Sequence, residues 1–310
     1  MNAIIPNTTE ANIQVLKPQE LPPRPKTTAI LMCSCEHFDV IDIKNPFMAT
    51  AMDATRSSVS TEVDRERAGE QWQKLKASIE KSGKPVLVLD GKTGLEDMVF
   101  SANQVFVGYD QRSGPYVVPA LMKHESRRRE VPHYLRWFEE QGYGIRELIQ
   151  TANEETCFEG HGDAIWHPGR ELIWGGYGQR TTLSAYKHLG QVTNCVIALL
   201  EMIDTTFYHL DTAFCPLDER TVLYYPEAFS EDSIRLIESG FEKSIKVCEE
   251  DALNFACNAL VVEKTVLLQK GSDRTRKALN DLNFEAIEVD TSEFMKSGGS
   301  AFCLTTDIYH

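Results

Sequence analysis

The sequence predicts an α/β fold built by repeating one strand–helix unit. Strand-like and helix-like segments alternate with a period of about 50 to 60 residues, the mark of a repeat architecture. No linker-like stretch interrupts the chain after residue 28, so the repeats belong to one domain. Neither G-x-G-x-x-G nor G-x-x-x-x-G-K-[ST] occurs, so the phosphate-cradling loops of nucleotide-binding α/β folds are missing. With 310 residues, 42% hydrophobic and 25% charged, the chain has ample material for a buried core.

Residues 1–27 read as a tail: they are polar, and Leu21-Pro22-Pro23-Arg24-Pro25 favours extended backbone away from a core. A single domain is expected over 28–310. Its first strand is Thr28–Cys33, short and apolar. Thr61–Glu80 is the clearest helix, because Ala68, Trp72, Leu75 and Ile79 recur at helical spacing and line one face. Gly83 ends it, and Pro85–Asp90 follows as a buried strand. Met98–Phe100 and Gln104–Val107 are strand-like and lead to a helix over Val131–Gln141, stopped by Gly142. Ala164–Trp174 folds back at Pro168-Gly169 as a hairpin. A helix over Ser184–Leu189 precedes the apolar strand Cys195–Met202, and a second hairpin runs from Tyr208 to Tyr225. Ser230 caps a helix through Ser239. The last unit has a strand at Ala259–Leu268, a helix at Ser272–Leu282 and a strand at Glu285–Val289.

Charge and cysteine content narrow the function. There are 46 acidic and 32 basic residues, a net charge of -14, which repels phosphate backbones and argues against a nucleic-acid partner. The same field favours a small cationic ligand weakly. No run of 18 apolar residues exists to span a membrane, and Met1–Lys26 lacks the basic-plus-apolar pattern of a signal peptide. Eight cysteines occur without a C-x-x-C pair, which fits a reducing cytoplasm where most thiols are small buried hydrophobes. A homo-oligomer is left open.

Four segments place polar groups where apolar runs end: Glu96–Asn103, Cys157–Asp163, Phe207–Asp211 and Ser297–Thr305. In extended backbone, residues two apart share a face, which groups His209 with Asp211, and Glu159 with His161 and Asp163. Gly160 and Gly162 let the backbone approach a ligand, and Gly298-Gly299 makes a turn that presents Cys303. Two chemistries fit these residues. In one, Cys303 is a nucleophile, His209 its acid–base partner, and the carboxylates hold a cationic substrate. In the other, His161, His209, Glu159, Asp163 and Asp211 ligate one or two metal ions that activate water.

From Leu31 to Thr305 the chain resembles the guanidino-group-modifying enzymes, the family of arginine deiminases, dimethylarginine dimethylaminohydrolases, amidinotransferases and arginine dihydrolases. The motifs that carry the likeness are Phe158-Glu159-Gly160, Gly162-Asp163, His209-x-Asp211, Gly298-Gly299 and Cys303-x-Thr305, in family order. Asn45-Pro46-Phe47-Met48, Phe207-Tyr208-His209-Leu210-Asp211-Thr212 and Asn254-Phe255-Ala256-Cys257-Asn258 look like the arginine dihydrolase subgroup. So does asparagine at both Asn45 and Asn103; deiminases and dimethylarginine hydrolases carry aspartate at the second position.

The resemblance implies a pentein fold, a five-bladed α/β propeller of ββαβ-like units around a central active-site channel. It also implies cysteine catalysis with no metal and no cofactor. Glu159 and Asp211 match the fork of a guanidinium, Cys303 attacks its central carbon, and His209 protonates the leaving amine and then deprotonates water. Asp163 supports the Glu159 loop. Asn103 can donate to a neutral ureido oxygen, with Asn45 assisting, and Arg127 can hold the substrate carboxylate. The expected reaction hydrolyses arginine to ornithine, ammonia and carbon dioxide. The alternatives are a deiminase or a methylarginine hydrolase giving citrulline, or a non-catalytic arginine-binding protein. Phe302 stands where some members carry arginine, and the chain stops seven residues past Cys303, so ornithine processing by a further domain in cis is not expected.

Overall fold

The computed structural model describes residues 4–5, 16–52, 62–149 and 156–309. It contains five small sheets built on one plan: an antiparallel strand pair, a helix, and a third strand returning parallel to the second. In the first unit Thr306–Ile308 lies antiparallel to Ala29–Cys33, which pairs in parallel with Val86–Leu89 across the helix Arg65–Lys81. The second joins Val105–Asp110, Gly114–Pro119, the helix Val131–Glu140 and Gly144–Ile145. The third joins Ala164–Trp166, Leu172–Tyr177, the helix Leu183–Thr193 and Val196–Glu201, with Ile4–Ile5 added in parallel at its edge. The fourth runs Phe214–Pro216, Thr221–Tyr224, the helix Glu231–Gly240 and Lys243–Lys246. The fifth runs Leu260–Val262, Thr265–Gln269, the helix Asp273–Asp281 and Glu285–Val289. The sequence repeat is thus present five times.

Burial within each sheet explains the sequence pattern. The middle strands Ala29–Cys33 and Thr265–Gln269 are buried at every position, so they read as unbroken apolar runs. Except for Val196–Glu201, which Ile4–Ile5 covers, the third strands lie at sheet edges, and in Lys243–Lys246 only Ile245 is buried; lysines on such an edge also deter pairing with other chains. The helix Arg65–Lys81 starts from Asp64, whose side chain accepts from the Arg67 N–H, and it buries Ala68, Trp72, Leu75 and Ile79. The expected start at Thr61 lies outside the described residues. Trp72 Nε1 donates to the Cys33 carbonyl at 2.8 Å, fixing this helix to the first sheet.

Several sequence expectations are corrected. Met98–Phe100 is not a strand: Glu96–Val99 forms a 3-10 turn. Tyr208–Thr212 is not the first arm of a hairpin; Leu210–Thr212 is another 3-10 turn, and the hairpin begins at Phe214. The single strand expected at Ala259–Leu268 is a hairpin reversing at Glu263, which takes a φ of 55°. Residues 16–27 are not a detached tail. Leu16 is buried in the core, Pro23 forms a bridge with Arg170, and the Arg24 N–H donates to the Gly169 carbonyl. The Arg24 guanidinium lies 5.0 Å from the centre of the Trp166 ring and donates to the Tyr309 hydroxyl. No helix among the described residues is long and apolar enough to cross a membrane.

Candidate active site

Each unit contributes residues from the turn just ahead of its first strand. Asn103 precedes Val105–Asp110, and Glu159 to Asp163 precede Ala164–Trp166. His209 and Asp211 precede Phe214–Pro216, Asn258 precedes Leu260–Val262, and Cys303 precedes Thr306–Ile308. The repeat therefore brings residues that are far apart in sequence to one end of five equivalent strands. Asn45, Asp97, Asn103, Arg127, Arg180, Tyr208 and Cys303 line a small cavity there.

Cys303 is buried, and its Sγ lies 3.0 Å from Asp211 Oδ2 and 3.1 Å from Asn258 Nδ2. Burial, then the neighbouring Asp211 charge, pushes the thiol well above its ordinary range, so at neutral pH it is protonated and donates to Asp211. Burial likewise pushes Asp211 up to about 7. The other oxygen, Asp211 Oδ1, has no hydrogen-bond partner among the described residues. Asn258 clamps the turn: its Oδ1 accepts from the N–H groups of Ser300 and Cys303, and its Nδ2 also reaches the Asp211 carbonyl. Gly299 is obligatory beside it, because a Cβ there would meet the Phe100 ring at 2.6 Å.

His209 Nε2 lies 2.7 Å from Glu159 Oε2, and His209 Nδ1 has no partner among the described residues. Glu159 is fully buried. Burial opposes its charge, but Arg180 Nη1 at 2.7 Å and His209 override that and hold the carboxylate well below its usual range. Its Oε1 accepts from the Lys123 N–H. The Glu159 oxygens are therefore committed to protein groups, and it orients His209 instead of offering an open fork to a guanidinium. Asp163 supports both turns: Oδ1 accepts from the Leu210 N–H at 3.0 Å and Oδ2 from Thr181 Oγ1 at 2.7 Å. Burial raises Asp163 to about 6.

Asn103 Oδ1 accepts from Arg127 Nη1 at 3.1 Å, while its Nδ2 has no partner among the described residues. Asn45 Nδ2 donates to the Ser297 carbonyl and its Oδ1 accepts from the Met48 N–H, so this side chain braces the Gly298 turn. Arg127 is buried against Glu130. Lys44 Nζ, next to Asn45, contacts Glu96 and Asp97 at 3.0 and 2.9 Å.

All eight residues singled out from the sequence thus lie in or directly against one site. His161 does not join them. Its Nε2 accepts from the Val107 N–H and its ring packs on Phe106, so the five-residue metal set expected in the second chemistry is not assembled. Among the described residues no group of three or more His, Cys, Asp or Glu side chains is placed to hold a metal ion. Sequence reading missed Arg180 and, although it quoted Asn258 in a motif, gave that residue no role in the site. Asn258 had a signal, its place ahead of a first strand like Asn103; Arg180 had only the neighbouring Gly175-Gly176 and Gly178.

Residues 43–310 match the family model described as N,N dimethylarginine dimethylhydrolase, eukaryotic. The bifunctional arginine dihydrolase/ornithine cyclodeaminase AgrE of a Nostoc species is 39% identical over 277 residues, covering 89% of this chain but 37% of that protein. The chain thus spans little more than a third of the length of such curated relatives. The N(G),N(G)-dimethylarginine dimethylaminohydrolase of Mycobacterium tuberculosis is 32% identical over 285 residues, covering 92% of this chain and 87% of that one. Among solved structures, the substrate-bound N-terminal domain of ArgZ, a cyanobacterial arginine dihydrolase, superposes with a TM-score of 0.82 at 36% identity. The match covers 91% of this chain and 98% of that one.

Proposed function

The chain belongs to the dimethylarginine dimethylaminohydrolase family of pentein-type, guanidino-group-modifying enzymes, and on that premise we propose that it is an arginine dihydrolase. The observation that carries the proposal is the free N–H2 edge of Asn103 in the cavity that holds Cys303, a donor suited to a ureido oxygen.

The guanidinium of arginine enters between Cys303 and Asp211. Asp211 Oδ1 accepts from a guanidinium N–H, and the cation's charge favours the thiolate that burial disfavours. Cys303 Sγ bonds to the guanidinium carbon. His209, oriented by Glu159, protonates one terminal nitrogen, which leaves as ammonia. Water, deprotonated by His209, then adds to the carbon and expels the thiolate, giving a citrulline-like ureido compound. In a second cycle the thiolate attacks the ureido carbon and a second ammonia departs, leaving a thiocarbamate. Water releases N-carboxyornithine, which loses carbon dioxide. Arginine and two waters thus give ornithine, carbon dioxide and two ammonia.

The substrate carboxylate is assigned to Arg180 together with Arg127 on the cavity wall. Asn45 keeps the Gly298 turn in place beneath Cys303, and Asp163 the turns that carry Glu159 and His209. A second reading, hydrolysis of methylated arginine to citrulline, is favoured by the description of the matching family model. Incubation with arginine and with methylarginines separates the two. The dihydrolase consumes arginine and yields ornithine with two equivalents of ammonia, and Cys303→Ser forms no product. Methylamine release with inert arginine contradicts it.

A further inference from the structure

A cavity of about 330 Å³, an ordinary volume for a small-molecule pocket, runs along the first strands of four units. Ile165 and Trp166, Phe214, Leu260 and Thr306 wall it, one strand from each unit. The catalytic turns precede these strands. Gly169, Glu219 and Glu263, which follow three of them, line the cavity's outer end together with residues 24–27. Its inner end reaches Phe302, next to the nucleophile. It shares no lining residue with the small cavity that holds Cys303.

The walls are largely apolar, so the few charged groups decide what would fit. Three of the carboxylates lie against cations of the protein. Glu219 Oε2 meets Arg170 Nη2 at 2.9 Å, Glu263 Oε2 meets Lys26 Nζ at 3.0 Å, and Asp307 Oδ1 lies 3.8 Å from Lys84 Nζ. Asp218 is exposed at the rim, and its Oδ1 accepts from the Arg220 N–H. Arg24 differs from all of these. Its guanidinium donates to the Tyr309 hydroxyl and lies 5.0 and 5.8 Å from the centres of the Trp166 and Tyr309 rings. Its Nε has no hydrogen-bond partner, and it forms no ion pair among the described residues. Burial pushes it down to about 10, with Asp307 opposing the shift. Aromatic faces offset part of a cation's lost hydration, but a buried charge ordinarily also has a counter-ion.

We propose that this cavity is a second small-molecule site, which takes a carboxylate with an apolar body. The carboxylate meets the Arg24 guanidinium, and the body lies against Ile165, Trp166, Phe214 and Leu260. A guanidinium fork matches a carboxylate, and the pairing supplies the counter-charge that Arg24 lacks. The net charge of -14 gives an anion no long-range attraction, so recognition rests on this local pairing. The site stands apart from the catalytic residues and does not depend on the dihydrolase reading.

The probe is 4-bromobenzoate, with neutral 4-bromobenzamide as its isostere. Calorimetry on the full chain is expected to find one 4-bromobenzoate bound per chain and the benzamide about tenfold weaker, the loss that a charge-assisted hydrogen bond predicts. Arg24→Gln is expected to weaken the benzoate by about the same factor and to leave the benzamide unchanged. Anomalous scattering in crystals grown with the probe is expected to place the bromine among Trp166, Phe214 and Leu260. Equal affinity for acid and amide, an unchanged affinity in Arg24→Gln, or bromine in the Cys303 cavity instead overturns the proposal. So does the absence of calorimetric binding up to about 10 mM. If Arg24→Gln does not fold, the acid–amide comparison and the bromine position in the wild type decide.

Discussion

Cys303 and Asp211 share a proton at 3.0 Å, and burial raises both groups. Binding a guanidinium requires Asp211 as an anion, so binding and proton release are linked. With Asp211 raised to about 7, most of the population is protonated at pH 6 and little of it at pH 9. Calorimetry of arginine binding to Cys303→Ser, in buffers of different ionisation enthalpy, is expected to find close to one proton released at pH 6 and almost none at pH 9. No release at pH 6 contradicts the assignment of Asp211 to the guanidinium. At this scale much was legible in the sequence. Glu159 and Cys303 stand in glycine-bearing runs, and His209 and Asp211 among apolar residues, where a solvated role is hard to place. Arg180 was not, because its meaning depends on a contact with Glu159 across a fold that had yet to form. The same contact alters the role of Glu159 from substrate fork to anchor of His209.

The turns ahead of the first strands are the elements that make the site. Each supplies one or two polar groups, and their shape depends on hydrogen bonds between units. Asn258 shows how: one amide holds the N–H groups of Ser300 and Cys303 from 42 and 45 residues away and touches Sγ itself. Asn258→Ala leaves those two buried N–H groups unpaired, each at a cost of about 1–3 kcal/mol. Thermal or denaturant unfolding is expected to show destabilisation of about 2–6 kcal/mol for the two groups together, with turnover lost in the surviving folded enzyme. Unchanged stability would mean that the turn stands without the clamp. The middle strands and the helices were legible because burial imposes apolar runs on one and a stripe on the other. The edge strand Lys243–Lys246 was not, since one buried residue in four leaves no period to read. The turns at Glu96–Val99 and Leu210–Thr212 were misread as strands for a related reason: they are buried and mix apolar with polar residues, and two-residue periodicity does not separate a strand from a buried turn.

At the scale of the molecule, five units on one plan place five turns around one site, and the first unit is completed by Thr306–Ile308 pairing with Ala29–Cys33. Cys303 thus sits three residues ahead of the strand that joins the two ends of the repeat array. The repeat was legible as a period, and the motif resemblance supplied the pentein architecture that periodicity alone does not name. The packing of residues 16–27 was not legible. A proline-rich segment has no amphipathic pattern, and its hold comes from Arg24 on Trp166 and Tyr309, contacts made across distant units. The net charge of -14 is compatible with a cationic substrate, which it attracts at long range. The central claim, two hydrolyses at one cysteine, is tested most directly with arginine carrying a carbon-13 label at the guanidino carbon. The account predicts that the label leaves as carbon dioxide, with unlabelled ornithine and two ammonia per arginine. Label retained in citrulline, with one ammonia, would contradict it.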